Sequence, residues 1–185
     1  MKCKAICTFL LFALYMCPLS KASLQLTDTY KLAISEAYAF NLVEAKAIIE
    51  KGKVEQPENN IYIYVENLID CLELFNSENP ELYISKYPSK KKRIGVLNKE
   101  SSSNELKRYC MAQTYLYWAV LEVKFNNFVA GAADIKEAYY LLKENQNLFP
   151  RFKPTLSGLS IIHTAIGSAP TELQWVLNLI GISGS

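Results

Sequence analysis

Apolar residues recur every three or four positions along most of this chain, and that period constrains its fold more than any other feature. Tyr30, Ala33, Ile34, Ala37 and Tyr38 share one face of a predicted helix that Thr27 and Asp28 are placed to cap. Asn41, a residue that tolerates left-handed backbone, stands at its end. Leu42, Ala45, Ile48, Ile49 and Gly52 carry the period into a second helix, after a connection so short that the two must run antiparallel. Ala45 and Gly52 lie seven apart on one face, where small residues let two helix backbones approach closely. Ile61, Tyr64, Val65, Leu68, Leu72 and Phe75 form a third stripe. Ile61-Tyr62-Ile63-Tyr64 alternates like a strand, but the helical period of the residues that follow outweighs it.

Residues 76–103 break the pattern with Pro80, Pro88, the run Ser101-Ser102-Ser103 and the cluster Lys90-Lys91-Lys92-Arg93, which predicts a long irregular connection. Ser102 and Glu105 then have capping-box spacing ahead of a long helix carrying Leu106, Tyr109, Cys110, Gln113, Tyr117 and Leu121. Asn126-Asn127 turns the chain into a second long helix from Phe128 to about Asn145. Pro150 and Pro154 mark a break, after which Thr155 or Ser157 starts a helix that Gly167 stops. A last short helix spans Glu172 to Ile180. No period-two alternation persists, so the expected class is all-α, built from helical hairpins. The expected divisions are a first hairpin plus helix over 28–75, the irregular connection, and a second hairpin plus two short helices over 104–182. Trp118 is expected to be buried where the hairpins pack.

The N-terminus reads as an address. Lys2 and Lys4 precede a largely apolar run from Ala5 to Met16, and Ser20 and Ala22 put small side chains at the positions a signal peptidase requires. That run is short of the roughly 20 residues a membrane span needs. Residues 1–22 are therefore expected to be a signal peptide, with 23–185 a single exported helical domain of the periplasm or cell envelope. Met16 and Tyr15 before Cys17 argue against a lipobox. Losing Lys2, Lys4 and Lys21 turns the formal charge of +2 into −1, which gives no electrostatic case for nucleic acid. Cys71 and Cys110 would remain, too few for a disulfide framework.

Asn41-Leu42-Val43-Glu44-Ala45 and Asn127-Phe128-Val129-Ala130-Gly131 match in residue type at an offset of 86, and each opens the second helix of a hairpin. Trp118-Ala119-Val120-Leu121-Glu122-Val123-Lys124-Phe125 resembles the opening of a tetratricopeptide repeat, with Glu122 where the family has Gly and Phe125 in place of its Tyr. Ala45 and Pro57 resemble the small residue that opens the second helix of such a repeat and the proline that closes it. The chain is similar in this to exported tetratricopeptide-like (TPR-like) proteins of the Bacteroidetes type. The resemblance implies an α-solenoid-like arrangement offering a groove to a partner, and it supplies no catalytic residue.

The residues point away from catalysis, cofactors and metals. His163 is the only histidine, and with Cys71 and Cys110 it falls short of a four-ligand zinc site. A Cys110–His163 nucleophile pair is weakened by the apolar stripe that Cys110 shares with Leu106 and Tyr109. Ser157-Gly158 and Gly167-Ser168 form no nucleophile elbow, and no Gly-rich phosphate loop occurs. Glu36, Glu44, Glu50, Glu66 and Glu73 could serve a carboxylate-dependent envelope hydrolase, yet they are spaced as solvated helix faces.

The expected function is therefore non-enzymatic: binding of a protein or peptide in the cell envelope. A carboxylate-dependent hydrolase and a small lipid- or ligand-binding helical domain are the alternatives. Lys90, Lys91, Lys92 and Arg93, with Lys86, offer contact with anionic membrane surfaces through 86–93. Twelve tyrosines favour an interface, because the ring buries large area at low entropic cost. Leu173, Trp175, Val176, Leu177, Leu179, Ile180 and Ile182 make the last helix apolar around much of its girth, so 172–182 is expected to meet a partner or a second copy through Trp175 and Ile180.

Overall fold

The Thr27 hydroxyl accepts a hydrogen bond from the Tyr30 amide at 3.0 Å and starts helix α1, Asp28–Tyr38. In the computed structural model, which describes residues 23–168, six more helices follow: α2 Leu42–Glu55, α3 Ile61–Ser77, α4 Pro80–Leu97, α5 Glu105–Lys124, α6 Phe128–Leu148 and α7 Pro154–Gly167. The described residues are all-α. The expected signal peptide and the 172–182 segment with Trp175 and Ile180 lie outside them.

Each helix packs on its successor, and the odd-numbered helices also touch in series, α1 on α3, α3 on α5 and α5 on α7. Two hairpins are closed by the same turn. Phe40 and Asn126 take left-handed φ values of 62° and 61°. Asn41 N–H donates to Glu36 O and Phe40 N–H to Ala37 O, while Asn127 N–H donates to Glu122 O and Asn126 N–H to Val123 O. This is the Schellman pattern in both places. The similarity of residue type at an offset of 86 thus extends to the backbone hydrogen bonds. The left-handed residue is Phe40 rather than the expected Asn41.

The core is three connected clusters. The largest joins Ala33, Ala37, Ala45, Ile49, Tyr62, Val65 and Leu68 of α1 to α3, and reaches Leu97, Leu106 and Cys110. A second holds Ala138, Leu142, Leu159 and Ile162 of α6 and α7. The third closes Cys71, Leu74, Trp118 and Leu121 beneath Tyr83 of α4. A Cβ at Gly52 would come within 2.5 Å of the Tyr62 ring, so the space left by the missing side chain is filled by a tyrosine ring of α3 rather than by the close approach of two backbones that the Ala45/Gly52 spacing suggested.

Residues 76–103 are not irregular: 80–97 form an eighteen-residue helix. Asn79 caps it by accepting from the Leu82 amide at 3.0 Å, and Pro80 sits at the first helical position, where its missing N–H costs nothing. Pro88 lies inside the helix on its exposed side, so the carbonyl it leaves without a helical partner is on the flank open to water. At the start of α5 the cap is Asn104, which accepts from the Leu106 amide at 2.9 Å, and not Ser102.

Candidate functional site

α4 contributes one buried residue to the core, Leu97, so apolar packing alone does not seat it. Lys86, Lys90 and Arg93 follow one another at four and three residues and therefore share a helix face, which is the face turned inward. On α3, Glu66, Asp70 and Glu73 have the same spacing and meet them. Lys86 Nζ pairs with Asp70 and Glu73, and Arg93 donates to Asp70 and, at 3.1 Å, to Ser89 Oγ. α2 adds Lys46 against Glu73 at 3.1 Å and Lys53 against Glu66 at 2.8 Å. Burial pushes the Asp70 carboxyl up, but the Lys86 hydrogen bond and the Arg93 charge outweigh it and hold the group below its ordinary range.

Lys90 lies deeper, where α4, α5 and α6 meet. Its ammonium donates to Glu122 Oε1 at 2.8 Å and pairs with Asp134, and it stands 5.4 Å and 5.8 Å from the ring centres of Tyr87 and Tyr115. The Tyr87 hydroxyl donates to the same Glu122 oxygen at 3.0 Å. Glu122 is fully buried and Asp134 is 6% exposed. Both carboxylates contact the same Lys90 ammonium, which holds them close to each other. Glu122 Oε2 is buried with no partner. Burial, the largest effect, drives the Asp134 carboxyl up to about 7 against the pull of Lys90, and the Glu122 charge adds to the rise. Burial would lower the Lys90 ammonium, but Asp134 and Glu122 overcome this and hold it above its ordinary value.

Above this cluster lies a groove of about 420 Å³, walled by Tyr87 and Tyr115 with Pro88, Lys91 and Ile94 at its sides and Asp134 in its lining. A second groove of about 470 Å³ runs past Lys53, Tyr62, Glu66, Ser89, Lys92 and Arg93. On the odd-helix row, the Tyr117 hydroxyl is 2.9 Å from that of Tyr38 and 3.3 Å from that of Tyr64. Tyr109 and Phe152 meet edge to face at 5.5 Å on the same cluster.

The basic run is thus divided. Lys86, Lys90 and Arg93 are drawn inward into ion pairs, Lys91 borders one groove and Lys92 the other. An anionic surface would find Lys91 and Lys92 rather than five free cations. Glu66 and Glu73 pair across helices instead of standing as free solvated carboxylates. Cys71 and Cys110 are buried and unpaired, and burial pushes both thiols up, away from the thiolate a nucleophile needs. His163 is half-buried with its ring edge-on to Tyr139 at 5.9 Å. Among the described residues, no group of three or more His, Cys, Asp or Glu side chains is placed to hold a metal ion, and no helix is long and apolar enough to cross a membrane.

Glu122, Asp134 and Tyr87 were not anticipated as a site. One signal existed: Glu122 occupies the position where the repeat pattern calls for Gly, inside an otherwise apolar stripe. Asp134 likewise interrupts a run of small residues from Gly131 to Ala133. No protein-family model, curated protein or solved structure matches the chain.

Proposed function

We propose that the chain is a non-enzymatic, exported TPR-like module of the cell envelope that binds a protein or peptide. The observation that carries this reading is the row of alternate helices α1, α3 and α5, where the exposed Tyr38 is tied through the half-buried Tyr117 hydroxyl to Tyr64 in the core beneath. Tyr38 is 57% exposed although it is an aromatic in a hydrogen-bonded chain, the mix of apolar ring and polar tip that recognition surfaces use. The repeated Schellman turn supports a duplicated hairpin. Glu122 is fully buried and already shared by Lys90 and Tyr87, which weighs against its flanking a sugar bond.

Panning a displayed peptide library against the purified protein tests the proposal. Enriched peptides should lose at least about tenfold in affinity against Tyr38→Ala, where an exposed ring is removed, and keep it against Val129→Ala on α6. Enrichment of no peptide, or equal loss in both variants, would refute it.

A further inference from the structure

The cluster beneath the Tyr87–Tyr115 groove is one positive charge short. Two buried carboxylates face one ammonium: Asp134 Oδ2 has the Lys90 ion pair alone, and Glu122 Oε2 has no donor at all. A buried acceptor without a donor is costly, and so is an uncompensated buried charge. A single proton placed between the two carboxyls removes both defects. It neutralises the excess charge and lets Asp134 donate to Glu122, leaving Lys90 and Glu122 as a balanced ion pair. We infer that Asp134, Glu122 and Lys90 form a buried proton-binding site at the junction of α4, α5 and α6, and that α4 is seated more tightly with the proton bound than without it.

The proton comes from solvent and binds to a carboxylate oxygen of Asp134. The groups that face it are Lys90, Lys91 and Tyr87 from α4, Glu122 and Tyr115 from α5, and Glu137 along α6 itself, which is near enough to act on Tyr115. Of these, Lys90, Tyr87 and Tyr115 are all held above their ordinary values and change charge only well above neutral pH. The upward drive on Asp134 by burial and by Glu122 agrees in direction with the geometry. Since the folded carboxyl binds its proton more tightly than the unfolded one, its share of stability is complete below pH about 4 and is lost as pH rises through the folded value near neutral. Deprotonation leaves a net negative charge under the groove, so the seat of α4 and the charge of the groove change together.

The chain contains three aspartates, Asp28, Asp70 and Asp134, which makes a direct test available. Aspartate-selective carbon-13 labelling of the purified protein yields three carboxyl resonances to follow by pH titration. Asp28 and Asp70 are both held below their ordinary value, so one resonance alone should titrate near neutral pH. Three titrations all completed below pH 5 would overturn the inference. Hydrogen exchange within 80–97, corrected for its intrinsic pH dependence, should be at least about tenfold less protected at pH 8.5 than at pH 6 in the parent and unchanged in Asp134→Asn. Equal protection at both pH values in the parent would remove the link to α4 even if the proton binds. If Asp134→Asn does not fold, the titration and the parent exchange still decide.

Discussion

Trp118 is fully buried, donates its indole N–H to Asn67 Oδ1 at 2.8 Å, and meets the Tyr87 ring edge-on at 5.6 Å. Two variants separate these roles. Trp118→Ala opens a cavity between α3, α4 and α5 and should cost about 3–5 kcal/mol in urea unfolding. Trp118→Phe keeps most of the ring but leaves the buried Asn67 oxygen without its donor, and should cost about 1–3 kcal/mol. Equal costs would show that the hydrogen bond contributes nothing separable. Phe40 offers the opposite sign. It holds a left-handed φ of 62° with more than half its surface exposed, so it bears the Cβ strain of that conformation with little burial in return. Phe40→Gly should stabilise the chain by up to about 1 kcal/mol. The burial of Trp118 was expected where the hairpins pack, and it is buried, among Cys71, Leu74 and Leu121 and against the α4 rings. Its polar partner was not legible, because Asn67 lies 51 residues away and nothing local marks it as a core residue.

α4 is the element that the sequence conceals. Two prolines and four consecutive basic residues carry the usual marks of a solvated loop, and each mark has a structural counter. Pro80 is at the helix start, Pro88 is on the outer flank, and the inward cations find carboxylates on α3, α5 and α6 that lie 13 to 44 residues away. The four-and-three spacing of Lys86, Lys90 and Arg93 was the readable clue, but a helix face of cations predicts solvent unless its partners are known. These partners give α4 an acid limit as well. Asp70 and Glu73 are held below their ordinary values, so their contribution is present above pH about 4 and is lost as pH falls through their folded values. Asp70→Asn should therefore flatten the acid side of the stability profile and leave the neutral side, set by Asp134, as it was. Thermal unfolding from pH 2.5 to 8.5 measures both sides in one series, and an unchanged acid side would show that Asp70 does not anchor the helix.

At the scale of the whole molecule, the class of fold was readable because helical period survives in every segment that contributes to the core. The division of labour among the helices was not, since it depends on which faces meet. α3 is buried at Ile61, Tyr62, Val65, Leu68, Ile69 and Leu74, and α5 at Trp118 and Leu121, so both are packed from two sides. α4 is held instead by ion pairs and by rings stacked on its neighbours, Tyr83 on Phe125 at 4.4 Å among them. Buried apolar area sets the free energy of the deepest openings, whereas partly exposed ion pairs contribute little each and weaken with salt. Native-state hydrogen exchange should therefore resolve at least two levels. Amides of α3 and α5 should exchange only through global unfolding, with the steepest dependence on urea, while those of 82–97 exchange first through an opening that frees α4 alone. Raising salt from 0.05 to 0.5 M should lower the protection of α4 modestly, and more than that of α3 or α5, because its Lys86–Glu73 pair is partly exposed to screening while its Lys90–Glu122 pair is buried. If α4 exchanges at the level of α3 and is indifferent to salt, its aromatic contacts, and not its ion pairs, hold it in place.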